Sequence, residues 1–152
     1  MTYTTLISTE DLARNLNSPD FLIIDVRFSL DDESWGETVY QESHIPGAIY
    51  ADVSKHLSGE IIPGKTGRRP FPTSEDFVKV LSSWGVTKQT QVICYDAESG
   101  LMAASRLWLM FRWMGHDQVA VLDGGIKSWQ GEGREVNQEV RKIIPSQFVP
   151  NI

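Results

Sequence analysis

The segment Gln91-Val-Ile-Cys-Tyr-Asp-Ala-Glu-Ser-Gly-Leu-Met-Ala-Ala104 reads as a buried strand, a short turn and the start of a helix. Such a turn aims backbone N–H groups and the positive end of a helix at one spot, which suits a nucleophile or a bound anion. The turn residues are Asp96, Ala97, Glu98, Ser99 and Gly100, and none is a good nucleophile for sulfur or phosphate. Cys94, the single cysteine, lies two residues earlier, inside the strand. The segment builds a cradle and leaves it without a nucleophile.

Other chemistry is sparse. The histidines, at 44, 56 and 116, show no metal-ligand spacing, so neither a metal nor a cofactor is expected. One small basic cluster, Lys65, Arg68 and Arg69, falls in a loop. With a net charge of −6 and no Lys/Arg run to offset it, the chain is not expected to bind nucleic acid. One cysteine excludes an intramolecular disulfide and suits a reducing compartment. No basic stretch followed by an apolar run opens the chain, and its apolar stretches are far short of a membrane span. A soluble, cytoplasmic protein without a membrane partner is the expectation.

Short apolar runs supply the frame that positions the turn. Phe21-Leu-Ile-Ile-Asp25, Gln91-Val-Ile-Cys-Tyr95 and Gln118-Val-Ala-Val-Leu122 are too short for helices and rich in β-branched residues, as strands covered on both faces are. Helix patterns separate them. Ser8-Thr-Glu-Asp-Leu has a capping start with Asp11 three residues after Ser8. Ser74-Glu-Asp-Phe77 repeats that logic, and Phe77, Val80, Leu81 and Trp84 form a stripe ending at Gly85. Met102 to Met114 should be the longest and most buried helix, closed by Gly115. Alternating strands and helices predict one α/β domain, a mainly parallel sheet with helices on both faces. Residues 58–73, with Pro63, Gly64, Gly67, Pro70 and Pro72, predict a surface loop. From Arg134 to Ile152 the chain is polar and aperiodic, yet Phe148, Val149 and Ile152 are apolar.

Four segments in order resemble one family: Ile24-Asp-Val-Arg27, His44-Ile-Pro-Gly-Ala48, the strand and turn at 91–104, and Val121-Leu-Asp-Gly-Gly-Ile-Lys-Ser-Trp129. Together they look like a rhodanese-like domain, an α/β three-layer sandwich, over residues 1–133. Arg112-Trp-Met-Gly-His116 and the loop from Gly64 to Phe71 narrow the resemblance to the N-terminal, non-catalytic half of a two-domain thiosulfate or 3-mercaptopyruvate sulfurtransferase. Residues 134–152 then resemble the linker to a second, catalytic rhodanese domain, the expected partner.

The resemblance implies a sulfur relay. In active members the turn begins with a cysteine that takes sulfur from a small donor such as thiosulfate as a persulfide, and passes it to cyanide or a thiol; the step needs a thiolate. Counting forward from the strand, Asp96 fills that slot; counting back from Ser99-Gly100, Ala97 does. Neither can form a persulfide, so the turn is expected to be vestigial and the chain alone inactive. Asp52 matches an acidic residue that mercaptopyruvate-type members place near the interdomain cleft. Arg69 stands where those members often carry a histidine, and Arg68 with Arg69 would suit a dianion such as thiosulfate. These three are the expected cleft-facing residues. Cys94 is expected in the core, Asp25 and Arg27 as a structural pair, His44 as a loop tie and His116 as a dipole partner at a helix end. Without a second domain, surface near Trp35, Phe71 and residues 145–152 should look unfinished. A different class of function fits the same residues: a free-standing inactive module used for binding or regulation.

Overall fold

A computed structural model describes residues 2–67, 69–97 and 103–152. Five strands and five helices alternate: β1 (Leu6–Ile7), α1 (Thr9–Arg14), β2 (Phe21–Asp25), α2 (Trp35–Glu42), β3 (Ile49–Tyr50), α3 (Ser74–Ser83), β4 (Gln91–Tyr95), α4 (Ala103–Trp113), β5 (Val119–Leu122) and α5 (Gly125–Gly131). The strands form one parallel sheet in the order β1-β5-β4-β2-β3. The expected α/β architecture is the one observed.

Because side chains alternate along a strand, each central strand feeds two cores. Leu22, Ile24, Val92, Cys94, Val119 and Val121 pack with Phe77 and Leu81 of α3 and with Leu107, Met110 and Phe111 of α4. Phe21, Ile23, Ile93, Tyr95, Ala120 and Leu122 face the other way, onto Leu12 of α1, Tyr40 of α2, and Ile126 and Trp129 of α5. Helices therefore cover both faces, and every residue of β2, β4 and β5 is buried.

Local corrections are small. Beyond the three strands expected from the sequence, β1 and β3 add two residues each at the sheet edges. Neither α2 nor α5 was anticipated. Ser8 does cap α1, accepting from Asp11 N. At α3 the cap is Thr73 rather than Ser74: its hydroxyl accepts from Asp76 N, three residues on. The helix expected over 102–114 runs Ala103–Trp113, with Met102 outside the described residues. No helix among the described residues is long and apolar enough to cross a membrane.

Residues 134–152 lie against the domain. His44 and Asn137 exchange backbone hydrogen bonds of 2.9 Å each. Arg141 Nη1 donates to Phe21 O (2.8 Å), Ser146 Oγ to Val86 O (2.7 Å), and Asn151 N to Met114 O (2.9 Å). Phe148 is buried. These contacts fall at the first residue of β2 and in the segments that lead into β4 and β5. They also explain Gly115, whose φ of +81° a side chain would resist and whose Cβ would sit 2.2 Å from Asn151 O. Val149 and Ile152 remain exposed, as do Ile144 and Phe71, while Trp35 is half-buried.

His116 corrects its expectation. It is buried, its Nε2 donates to Thr90 O at 2.8 Å, and it sits between Phe111 and Phe148. Burial lowers its pKa, outweighing the favourable carbonyl bond and Asp117. It therefore serves as a neutral core donor and not as a cation facing a helix dipole. Burial also lowers the pKa of His56, which accepts from Asp52 N at 2.9 Å and meets Trp84 edge-on. For a base whose folded pKa is depressed, the unfolded chain binds protons that the folded chain refuses, so stability is lost as pH falls. The urea midpoint should thus hold above about pH 7 and decline once pH drops below the unfolded histidine value of about 6.5. Midpoints measured at intervals across that window test this; a level line through it would refute it.

Candidate functional site

Strand order places the turn that begins at Asp96 and Ala97 at a reversal of the sheet. From β2 the chain moves outward to β3; from β4 it moves the opposite way, to β5. The carboxyl ends of β2 and β4 thus flank a topological switch point, where open α/β sheets hold their ligands.

Around that point the chain is strongly fixed. Asp25, wholly buried at the end of β2, accepts from Arg27 N (2.9 Å), Arg27 Nη2 (2.7 Å) and Tyr95 Oη (2.8 Å). Arg27 Nη2 also donates to Ser43 O at 2.6 Å, and Ile45 N donates to Tyr95 Oη at 3.2 Å. The expected Asp25–Arg27 pair is therefore the centre of a network that ties β2, β4 and the loop after α2 together. His44 adds to the tie: its ring stacks on Tyr40, with Nδ1 2.7 Å from Tyr40 O and Nε2 2.6 Å from Glu139 O.

Asp96 is buried, and its Oδ2 accepts from Ala104 N at 3.4 Å in the first turn of α4. Its carbonyl accepts from Ile126 N and that of Ala97 from Lys127 N, both at 3.1 Å, so the first turn of α5 also hangs on this turn. Glu98, Ser99 and Gly100 lie outside the described residues. The Asp96 side chain thus meets the positive end of α4.

Cys94 is fully buried, paired in register with Ile24 on one side and Val121 on the other. Burial first, then the charge of Asp96, pushes its thiol pKa well up. It is a core side chain, as expected.

Of the other sequence candidates, Asp52 and Arg69 are described, and each is engaged with its own neighbours. Asp52 Oδ1 accepts from Ser54 N (2.8 Å) and Lys55 N (3.0 Å), which makes it a turn former. Arg69 is mostly buried, over the Phe28 ring and bonded to Ser54 Oγ. Arg68 lies outside the described residues. A third arginine, missed in the sequence, organises this region. Arg106 of α4 reaches Leu57 O (2.8 Å), Arg69 O (2.9 Å) and Pro70 O (3.2 Å), and its guanidinium stacks on Phe71. Only its helix-start position, one turn past the cradle, hinted at a role. Among the described residues no three His, Cys, Asp or Glu side chains gather as a metal site would require.

The family model for the rhodanese-like domain matches residues 8–132. The chain belongs to the rhodanese-like domain family. Among curated relatives, a probable 3-mercaptopyruvate sulfurtransferase from Pseudomonas aeruginosa is 40% identical over 144 residues, which is 94% of this chain and 50% of that protein. A thiosulfate/3-mercaptopyruvate sulfurtransferase from Arabidopsis thaliana is 36% identical over 89% of this chain and 38% of its own length. Of solved structures, a 3-mercaptopyruvate sulfurtransferase from Leishmania major superposes with a TM-score of 0.83 at 29% identity, covering 96% of this chain and 39% of that one. SseA from Escherichia coli, described as a 3-mercaptopyruvate sulfotransferase, gives 0.77 at 27% identity over 98% and 55%. This rhodanese-like chain spans about half the length, or less, of the curated relatives it matches.

Proposed function

We propose that this chain is the non-catalytic N-terminal rhodanese-like domain of a sulfurtransferase, with residues 134–152 leading to a second rhodanese domain that carries the persulfide cysteine. In the full protein a thiolate would attack the outer sulfur of thiosulfate. The new S–S bond forms as the donor's breaks and sulfite leaves, and cyanide or a thiol then takes the sulfur. 3-Mercaptopyruvate is the other donor the relatives suggest. This half would wall the cleft with its switch-point end, where Asp96, Asp52 and Arg69 lie.

The observation that carries the reading is the single, sheet-buried cysteine beside a cradle that holds Asp96 and Ala97 instead. Half-length matches to sulfurtransferases support it. Mass analysis of the native polypeptide tests it. The expected product is about twice this length and carries a cysteine in the turn of a second rhodanese-like segment. A native polypeptide ending at Ile152 would overturn the two-domain reading in favour of a free-standing module of the same family.

A further inference from the structure

The side chain of His44 is wholly buried, and both of its ring nitrogens face carbonyl oxygens. Nδ1 lies 2.7 Å from Tyr40 O and Nε2 lies 2.6 Å from Glu139 O. A carbonyl oxygen only accepts, and a neutral imidazole carries one N–H and one bare lone pair. Whichever tautomer a neutral ring adopts, one of these contacts sets a lone pair against an oxygen at hydrogen-bond distance. Only the imidazolium, with a proton on each nitrogen, satisfies both.

The surroundings weigh on that charge from several sides. Burial by itself opposes it. Against burial stand the two carbonyls, of which Tyr40 O lies in the last turn of α2, at the negative end of the helix. The ring also stacks on Tyr40 at 3.9 Å between centroids, and an aromatic face attracts a cation. Charged groups on the elements packed around it are Glu42 of α2, Glu139 of the tail, and Asp25 with Arg27 at the end of β2. Asp25 and Arg27 offset one another in their ion pair. The other titratable groups nearby are Tyr40, Tyr50 and Tyr95, and burial first, then neighbouring carboxylates, keeps all three hydroxyls protonated.

The two acceptors differ in freedom. Tyr40 O is fixed by the helix that carries it. Glu139 belongs to a stretch without helix or strand, held here by the His44–Asn137 backbone exchange and by Gln138 Nε2, which donates to Glu42 O at 3.0 Å. We propose that His44 is a proton-operated latch on the tail, charged when it clasps Glu139 O through Nε2 and open when that proton leaves to solvent. On opening, Nδ1–H stays on Tyr40 O, a lone pair turns towards Glu139 O, and residues 137–140 loosen from the loop after α2. The next residue, Ile45, donates to Tyr95 Oη, which donates to Asp25, so the latch borders the network that fixes the switch-point end. The device uses this chain alone and is independent of where the sulfur chemistry lies. Its sign is opposite to that of His56 and His116, since it holds in acid and opens as pH rises. Being one contact of the tail, it is read locally and not from the urea midpoint.

An NMR titration of the isotopically labelled chain from about pH 5 to about pH 9, which brackets the ordinary histidine range, reads both halves of the proposal. Expected are two protonated ring nitrogens on His44 at the acid end and loss of the Nε2 proton alone as pH rises. In the same step the amide protection of Asn137 and Glu139, corrected for the intrinsic effect of pH on exchange, should fall about tenfold, the equivalent of one charge-assisted hydrogen bond. The amides of Ser146 and Asn151, bonded to Ser82 O and Met114 O, should not share the step. In His44→Gln the step should vanish. A His44 ring that keeps one proton count across the whole range overturns the proposal, as does a ring titration that leaves Asn137 and Glu139 within about twofold. Loss of the Nδ1 proton instead overturns the releasing side, and a fall shared by Ser146 and Asn151 overturns a local latch. A step that survives in His44→Gln assigns the switch to another group and overturns it too. Should that variant fail to fold, the wild-type ring, assigned by its contacts to Tyr40, decides alone.

Discussion

Asp25→Ala is expected to remove about 3–5 kcal/mol of folding stability, the usual cost of deleting one partner from a buried ion pair. Both side chains are out of water, that of Asp25 completely and that of Arg27 to within 8%. The carboxylate accepts from the backbone N, Nε and Nη2 of Arg27 and from Tyr95 Oη. Without it, Arg27 keeps its charge and only carbonyl acceptors, those of Val39 and Ser43. Tyr95 is left with a hydroxyl that burial keeps protonated and that has lost its acceptor. Against a total stability of about 5–15 kcal/mol, this is a large fraction. Adding Arg27→Met should restore a good part of the loss, because the unpaired charge and not the missing pair is what destabilises. Urea unfolding of the wild type, the single variant and the double variant measures all three. A single variant within about 0.5 kcal/mol of wild type, in the range of ordinary surface changes, would show that the network does not hold the sheet end.

Most of that network leaves no mark in the sequence. Ile24-Asp-Val-Arg27 offered the ion pair at short range, since both residues sit at one strand end. Tyr95 joins from seventy residues away, and a strand pattern shows only that it is buried. The same limit applies to Arg106, whose partners are the carbonyls of Leu57, Arg69 and Pro70, brought to α4 from far along the chain. Strands β2 and β4 were legible to the residue because sheets buried on both faces leave continuous apolar runs. Strands β1 and β3 were not, because two residues carry no period and are defined by their neighbours. The start of α3 was misplaced by one because Thr73 and Ser74 are adjacent hydroxyls, and backbone geometry chooses between them. The tail had no period to read. Its attachment is made by backbone carbonyls, two glycines at helix ends and Phe148, and none of these leaves a repeating mark in the sequence. The strand before the cradle and the helix after it were legible because strand, turn and helix leave punctuation; what such a turn can bind depends on side chains brought in from elsewhere.

Cys94 should be unreactive in the native chain, and this is the larger of the two effects. Two barriers act in series. The thiol is wholly shielded between Ile24 and Val121, and burial with the charge of Asp96 raises its pKa, so little thiolate forms. Since the thiolate is the nucleophile, reaction must wait for the chain to open. Unfolded fractions of about 10⁻³ to 10⁻⁶ then set the rate, so labelling by a disulfide reagent should be about a thousandfold slower, or more, than in urea. The native rate should follow stability across variants, and Asp25→Ala should label faster than wild type. Incubation with thiosulfate should leave the intact mass unchanged. A cysteine that labels at the unfolded rate, or a chain that gains one cyanide-labile sulfur, would make Cys94 the carrier and remove the reason for placing the chemistry in another domain. With neither, the parallel sheet that aims the turn is also what keeps the only thiol out of it, because the strand runs one residue beyond Cys94, to Tyr95, and the turn begins at Asp96.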